Sequence, residues 1–359
     1  MKTNVDYVNN GNVRMDAGYH FKNRKNLIFL TAICFALLAV FTGCKKDKEE
    51  DDETETTPIM TMTTFAESGN VTILLAGSGT ATIDWGDGTE IETYTLQTYS
   101  DELWYINENR YRHDYSGASS HTITITGKNI THLNSAYFNI PLINLDVSKN
   151  TALTYLVCYY NQLTSLDVSQ NTALTRLECG HSQLISLDVS QNTALTYLVC
   201  NYNQLTSIDV SKNIELEYFV CNFNPLKDLD VNKNTKLTIL ACRGTQLTNL
   251  DVSKNTALIN LNCSDNELNN LNVSNNTELI YLYCFNNPLE SLDVSKNTKL
   301  KDLRLYFNRL DAAALDNLFG TLHNNAGTKE IHIGGNPGTD DCARSVAELK
   351  GWTVNDFPW

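Results

Sequence analysis

Apolar positions recur with a fixed period through the middle and later parts of the chain. The pattern Leu-Asp-Val-Ser-x-Asn returns every 21 residues, its first residue falling at Leu145, Leu166, Leu187, Ile208, Leu229, Leu250, Leu271 and Leu292. Between copies lies a second apolar set, as in Leu153, Leu156, Cys158 and Leu163. A unit this short cannot enclose its own apolar side chains. It buries them against the units before and after it, so the pattern predicts a solenoid, with a strand centred on Leu156 to Cys158 and its equivalents. Strands stacked about 4.8 Å apart make the array on the order of 40 Å long.

The flanking segments follow other periods. Val71–Leu75, Ala81–Trp85 and Thr122–Ile125 are β-branched runs bounded by Gly, Asn and Ser, and predict short strands. Leu315, Leu318, Phe319 and Leu322 follow i, i+3, i+4, i+7 and predict an amphipathic helix. Ile331 and Ile333 alternate in a short strand, Asn336-Pro337-Gly338 turns, and Cys342, Val346 and Leu349 line a last helix stopped by Gly351. At the front, Lys22, Arg24 and Lys25 precede an apolar run from Leu27 to Phe41. That run is short of the roughly 20 residues a membrane-spanning helix needs and reads as a targeting leader.

Several of these segments resemble known families. The unit Leu153-x-x-Leu156-x-Cys158-x-x-Asn161-x-Leu163-x-x-Leu166-Asp167-Val168-Ser169-x-Asn171 resembles the leucine-rich repeat in its 21-residue bacterial form. The resemblance implies an asparagine ladder at Asn161, Asn203, Asn224, Asn266, Asn287 and Asn308, with Ser182 and Thr245 as weaker replacements. A second row, Asn150 to Asn297, marks another corner. Trp85-Gly86-Asp87-Gly88-Thr89 and His113-Asp114-Tyr115 resemble the PKD-type immunoglobulin-like sandwich, in which the Trp is core and Gly-Asp-Gly a tight turn. Asp84 and Asp87 are too few carboxylates for a calcium site of six to eight oxygens. Phe41-Thr42-Gly43-Cys44 resembles the lipobox of bacterial lipoproteins, with Phe41 where Leu is usual, and implies lipidation of Cys44. The charged run after it cannot fold alone and resembles the acidic export signal of Bacteroidetes surface lipoproteins.

The expected fold is mainly β with short helices: a right-handed leucine-rich repeat solenoid with an N-terminal immunoglobulin-like β-sandwich and a C-terminal α/β cap. Its segments are a lipoprotein signal peptide (1–43), an acidic tether (44–59), the sandwich (60–130), the solenoid (131–310) and the cap (311–359). Without residues 1–43 the chain retains 22 Lys and Arg against 39 Asp and Glu, a net charge of −17, where the whole chain carries −14. A phosphate backbone needs cationic neutralisation, so nucleic acid is an unsuitable partner. Membrane contact is expected only through the lipid on Cys44, at the outer membrane and on the cell surface.

Cys158, Cys179, Cys200, Cys221, Cys242, Cys263 and Cys284 stand one per unit. A straight column cannot wrap a tetrahedral ion. Parallel Cβ atoms about 4.8 Å apart exceed disulfide geometry. Leu305 takes the equivalent place in the next unit, which favours thiols as small buried apolar groups. The column resembles the cysteine ladder of certain internalin-family adhesins. The row Asp146, Asp167, Asp188, Asp209, Asp230, Asp251 and Asp293 is interrupted by Asn272 and reads as turn chemistry.

Ligand contacts are expected from the variable strand positions on the concave face. These are Tyr155, Tyr159, Tyr160, Tyr197, Tyr202, Tyr218 and Phe223, then a polar patch at Arg243, Asn260 and Asp265. Beyond it come Tyr281, Tyr283, Phe285, Tyr306 and Phe307. Tyrosine buries a large area while keeping a hydrogen-bonding tip, which suits a binding face. No catalytic triad, HExxH, phosphate loop or zinc spacing occurs, and His181 is a lone histidine on the repeat face. The chain is expected to be no enzyme and to use no cofactor or metal. Its expected role is binding an extracellular protein; glycan capture and a non-binding spacer are the alternatives.

Overall fold

The computed structural model describes residues 57–65, 67–99, 110–136 and 140–356. The leader, Cys44 and most of the acidic tether lie outside the described residues. Eight strands come first: β1 (Ile59–Thr64), β2 (Gly69–Ser78), β3 (Thr80–Asp84), β4 (Glu92–Thr95), β5 (Arg110–Tyr115), β6 (Thr122–Thr126), β7 (Asn129–Asn134) and β8 (Leu142–Asp146). Three-residue rungs follow: β9 (Tyr155–Val157), β10 (Arg176–Glu178), β11 (Tyr197–Val199), β12 (Tyr218–Val220), β13 (Ile239–Ala241), β14 (Asn260–Asn262), β15 (Tyr281–Tyr283) and β16 (Asp302–Arg304). The chain closes with α1 (Ala312–Thr321), β17 (Glu330–His332), α2 (Ser345–Glu348) and β18 (Thr353–Asn355).

These strands form a five-stranded sheet, β4-β3-β6-β1-β8, and a thirteen-stranded one running from β18 through the rungs to β9-β7-β2-β5. Each repeat strand pairs in parallel with the next at a shift of one unit, as in Leu156↔Leu177 and Leu177↔Leu198. The N-terminal strands are built into the array. β7 pairs with β9 in parallel, Leu133 against Leu156, and β2 and β5 extend the same sheet antiparallel. The first Leu-Asp-Val-Ser segment contributes β8 to the smaller sheet, antiparallel to β1. The physical reason is the array's open edge: a first rung would leave a row of unpaired peptide groups, and β7 covers it.

Inside the array each unit buries the same set. Leu153, Leu156, Cys158, Leu163 and Val168 are fully buried and repeat rung after rung. Removing each Leu or Val from water contributes about 1.5–3 kcal/mol. The strand ends at Val157, one residue earlier than the sequence pattern indicates. Cys158 already lies beyond it and donates its N–H to Glu178 of the next rung at 2.8 Å.

The turn after each strand is held by asparagine. Asn203 Nδ2 donates to the carbonyls of Cys179 and Cys200, both at 3.0 Å, while its Oδ1 accepts from the Leu184 N–H at 3.1 Å. The two replacements differ from each other. Ser182 is too short to repeat these bonds, and its Oγ is buried with no hydrogen-bond partner among the described residues. Thr245 compensates: its Oγ1 donates to Cys242 at 2.6 Å, and its N–H reaches Asn266 Oδ1 at 3.0 Å. The expected weakening thus applies to Ser182 and not to Thr245. In the second row, Asn171 Nδ2 donates to Val147 and Asn150 of the preceding unit, both at 2.9 Å.

All seven column cysteines are free and fully buried, as is Leu305 at the equivalent place. Burial pushes their thiols up, to about 12 for Cys179 and Cys263. At the C-terminal end α1 is capped by Asp311, whose side chain accepts from the Ala314 N–H at 2.8 Å, and it buries Leu315, Leu318 and Phe319. α2 is a single turn, so its periodicity does not carry Leu349 inward: that residue is 89% exposed, and Ala347 and Trp352 fill the space instead.

Denatured, unreduced protein spanning residues 58–359 is expected to titrate eight thiols, the column plus Cys342. Unfolding exposes column thiols whose unperturbed pKa is about 8.5, while the fold keeps them protonated. Above that pH the unfolded chain therefore binds fewer protons, and stability falls as pH rises, by up to about 1.4 kcal/mol per pH unit for each thiol. Denaturant melts across pH 7–10 should show a steep decline above pH ~9, shallower in Cys179→Ala. Ser182→Asn should raise stability by about 1 kcal/mol by completing the ladder.

Candidate functional site

The outward side chains of the parallel sheet form columns, because each rung repeats its neighbour's orientation one strand spacing away. The first column runs through the opening residue of each strand: Tyr155, Arg176, Tyr197, Tyr218, Ile239, Asn260, Tyr281 and Asp302. Tyr197 and Tyr218 stack at 4.1 Å between centroids, nearly parallel. The Arg176 guanidinium lies between Tyr155 and Tyr197, at 5.1 and 3.8 Å from their rings, and is ion-paired with Glu178. Burial pushes the Tyr197 and Tyr218 hydroxyls above the ordinary phenol range.

A further column sits just past the strand and has a distinct backbone. Tyr160, His181, Tyr202, Phe223, Asp265, Asn286 and Phe307 all have φ between 52° and 59°. This left-handed conformation costs a residue with a Cβ about 1–2 kcal/mol. It brings four consecutive rings face to face: Tyr160 on His181 at 4.2 Å, His181 on Tyr202 at 4.2 Å, and Tyr202 on Phe223 at 4.5 Å. Beside the stack, Pro141, Asn161, Gln162 and Ser182 complete a shallow, open depression of about 530 Å³. The stack stops where Gly244 follows Phe223, since a Cβ there would come within 2.7 Å of the ring.

The sequence-predicted residues therefore fall into two groups. Tyr155, Tyr197, Tyr218 and Tyr281 are half-buried on the first column; Tyr160, Tyr202 and Phe223 share the second, with Tyr159 tilted against Tyr160 at 5.2 Å. Tyr283, Phe285 and Tyr306 differ from these: at 4–6% exposure they pack on one another and on Tyr281 as a small closed core. Phe285 and Tyr306 stack at 4.3 Å, which leaves little of either to meet a partner. His181 and Arg176 are brought into the site by the structure. Neither stands out singly in the sequence; the signal is their place on aromatic columns, legible from the 21-residue period.

Between the groups, Arg243 is ion-paired with Asp265, and its guanidinium stands 5.3 Å from the Phe223 ring and 5.0 Å from Phe285. Asp302, Glu330 and His332 bring three metal-capable groups within 4.8 Å. Arg304 already donates to Asp302 through Nε at 3.1 Å and Nη2 at 2.9 Å, and Tyr283 donates to it at 3.0 Å, so that carboxylate is committed.

The other carboxylates singled out earlier serve turns. Asp84 Oδ1 accepts from the Gly86 N–H at 2.9 Å. Asp87 accepts from Thr89 and meets His113 Nε2 at 2.7 Å. Each aspartate of the repeat row accepts the N–H two residues on, as Asp167 does from Ser169 at 2.9 Å. That bond, together with one from the Ser169 hydroxyl, holds the Asp167 carboxyl below its ordinary value.

No model of a known protein family and no curated protein matches the chain. Among solved structures, the functional domain of InlJ from Listeria monocytogenes, described as including a cysteine ladder, is similar at 36% identity and a TM-score of 0.54. The match covers 63% of this chain and 49% of that one, so the chain spans about half of the InlJ domain. An internalin, inlF, from the same organism is similar at 22% identity and a TM-score of 0.44, over 60% of this chain and 77% of that one. A leucine-rich repeat protein of Leptospira interrogans is similar at 20% identity and a TM-score of 0.49, over 58% and 61%. The chain is a mainly-β leucine-rich repeat solenoid that resembles the cysteine-ladder domain of InlJ.

Burial lowers the pKa of His181, and that of His132 to about 4. Both are neutral in the fold and charge on unfolding once pH drops below about 6.5. Their contribution to stability is therefore present above that pH and is lost as pH falls toward the folded values. Histidine NMR titration should place both below free histidine, and Tyr160→Ala with Tyr202→Ala should move His181 back toward it.

Proposed function

We propose that this protein binds an extracellular protein through the outward columns of its parallel sheet. An internalin-like leucine-rich repeat array is by architecture a protein-interaction module, and the outward columns give this one its character. One observation carries the reading: the aromatic faces are already occupied. Tyr160, His181, Tyr202 and Phe223 use their faces on each other, as do Tyr197 and Tyr218. A sugar ring stacks on a free aromatic face, whereas a protein surface packs against ring edges and phenol hydroxyls. The arginines of the face are likewise paired with Glu178, Asp265 and Asp302, so a partner meets a neutral surface rich in tyrosine and arginine, the composition of interface hot spots.

The remaining parts fit a surface-displayed receptor. The leader and Cys44 would anchor the chain by lipid, the acidic run would hold it off the outer membrane, and the N-terminal strands, PKD-like in sequence, would close the first edge of a right-handed array. Ligand contacts are assigned to Tyr155, Tyr159, Tyr160, Tyr197, Tyr202, Tyr218, Phe223 and Tyr281, with Tyr283, Phe285 and Tyr306 supporting them from beneath. No cofactor enters this role. Protease treatment of intact cells should remove the protein, and Cys44→Ser should abolish labelling with a fatty-acid analogue.

The test of binding is to present soluble residues 58–359 to parallel panels of extracellular proteins and polysaccharides. A protein hit weakened at least tenfold (about 1.4 kcal/mol) in the Tyr155, Tyr197, Tyr218→Ala variant is expected. A polysaccharide hit with no protein hit would move the protein to glycan capture; silence in both panels would leave a spacer.

A further inference from the structure

The two aromatic groups are separated by a gap, and its dimensions follow from the rung spacing. Along the column of opening strand residues the order is Tyr218, Ile239, Asn260, Tyr281; along the closing residues of the same strands it is Val220, Ala241, Asn262, Tyr283. Tyr218 and Tyr281 are three strand spacings apart, about 14 Å at about 4.8 Å each. Less one ring thickness of roughly 3.5 Å, a notch of roughly 11 Å remains. Its walls are Tyr218, which Tyr197 backs at 4.1 Å, and Tyr281, which packs on the Tyr283–Phe285–Tyr306 core.

One end of the notch is closed. Arg243 spans it from Phe223 to Phe285 and is ion-paired with Asp265, whose other oxygen accepts from Asn286 Nδ2 at 2.6 Å. The opposite end is open, beside the exposed Ile259. The floor carries no ionisable group: Ile239, Ala241, Asn260 and Asn262. Asn262 uses its Oδ1 on the Ser264 N–H at 3.2 Å, and among the described residues its amide N–H groups take no partner.

From these features we infer that the notch is the anchor point of the protein-binding face and that it receives a single uncharged loop of the partner. This rests on the protein-binding reading above. Charge decides the occupant. A charge pressed against this floor would lose its water there, the Arg243–Asp265 pair at the closed end is committed to itself, and the exposed Glu217 stands outside the floor, before the Tyr218 wall. A loop offers peptide N–H and carbonyl groups without partners, and the asparagine amides both donate and accept. The width suits a closed loop, whose two chain passes lie about 4.8 Å apart. The flanking tyrosines then exclude water around the seated loop, which is how a small contact carries much of an interface's energy.

The test uses a library of disulfide-closed nine-residue loops displayed on phage and selected on residues 58–359. Asn260→Tyr fills the notch, and the fold accepts it because neighbouring rungs already carry tyrosine at that position; thermal melts confirm folding. Selected loops are expected to bind wild type, to weaken at least tenfold on Asn260→Tyr and severalfold on Asn262→Ala, and to ignore Asp209→Lys on the exposed turn row. Enrichment of no loop, or loops that bind Asn260→Tyr as well as wild type, would overturn the inference. So would a polysaccharide that Asn260→Tyr displaces, which would make the notch a sugar site. A protein ligand lost in the Tyr155, Tyr197, Tyr218→Ala variant yet bound normally by Asn260→Tyr would sink the notch and leave the sheet-face reading standing.

Discussion

A chain that leaves a three-residue strand and turns at once has carbonyl groups that water cannot reach, and the solenoid depends on how they are bonded. The amide of Asn203 satisfies its own turn and reaches back to the carbonyl of Cys179 in the unit before. One side chain thereby fixes both the turn and the stacking distance. Leucine can then close the interior, and the cysteine position needs a group small enough to sit directly behind the ladder. Because each of these places is determined by its neighbours above and below, variation is left to the outward positions.

Those outward positions are coupled along the array. A ring at one rung meets whatever stands one strand spacing away, so aromatics at 160, 181, 202 and 223 stack almost as soon as they are present. The left-handed turn they occupy would suit glycine better, and Gly244 and Gly335 hold it elsewhere. Stacking offsets the strain where rings are consecutive. The result is a rigid face whose side chains have already lost their rotamer freedom before any partner arrives, which lowers the entropic cost of binding.

Much of this was legible in the residues. The period gave the solenoid, the asparagine rows and the apolar role of the cysteine column, since a 21-residue unit has one way to bury its edge. The N-terminal junction was not: whether Leu142–Asp146 joins the array or the smaller sheet depends on which edge needs covering, a question of tertiary pairing. For the site, the columns were visible but their burial was not. Tyr283 and Tyr160 are both aromatic residues on the outer face, yet one is packed with Phe285 and Tyr306 while the other is half exposed. Only the identity of neighbouring rungs decides that. His181 reads as solitary in the sequence for the same reason: its companions are 21 residues away on either side.

The interchangeability of the units has a bearing on how such a surface changes over generations. Adjacent repeats share their Leu, Cys and Asn positions, so an in-frame loss or duplication of 21 codons joins one unit to another with every buried contact intact. The core is indifferent to the number of turns, but the outer face is not. Deleting one rung between Tyr218 and Tyr281 would narrow their separation by one strand spacing, and adding one would widen it by the same step. Recognition in this architecture is thus adjustable in discrete increments by recombination between near-identical segments, a faster route to a new specificity than point substitution within a fixed frame.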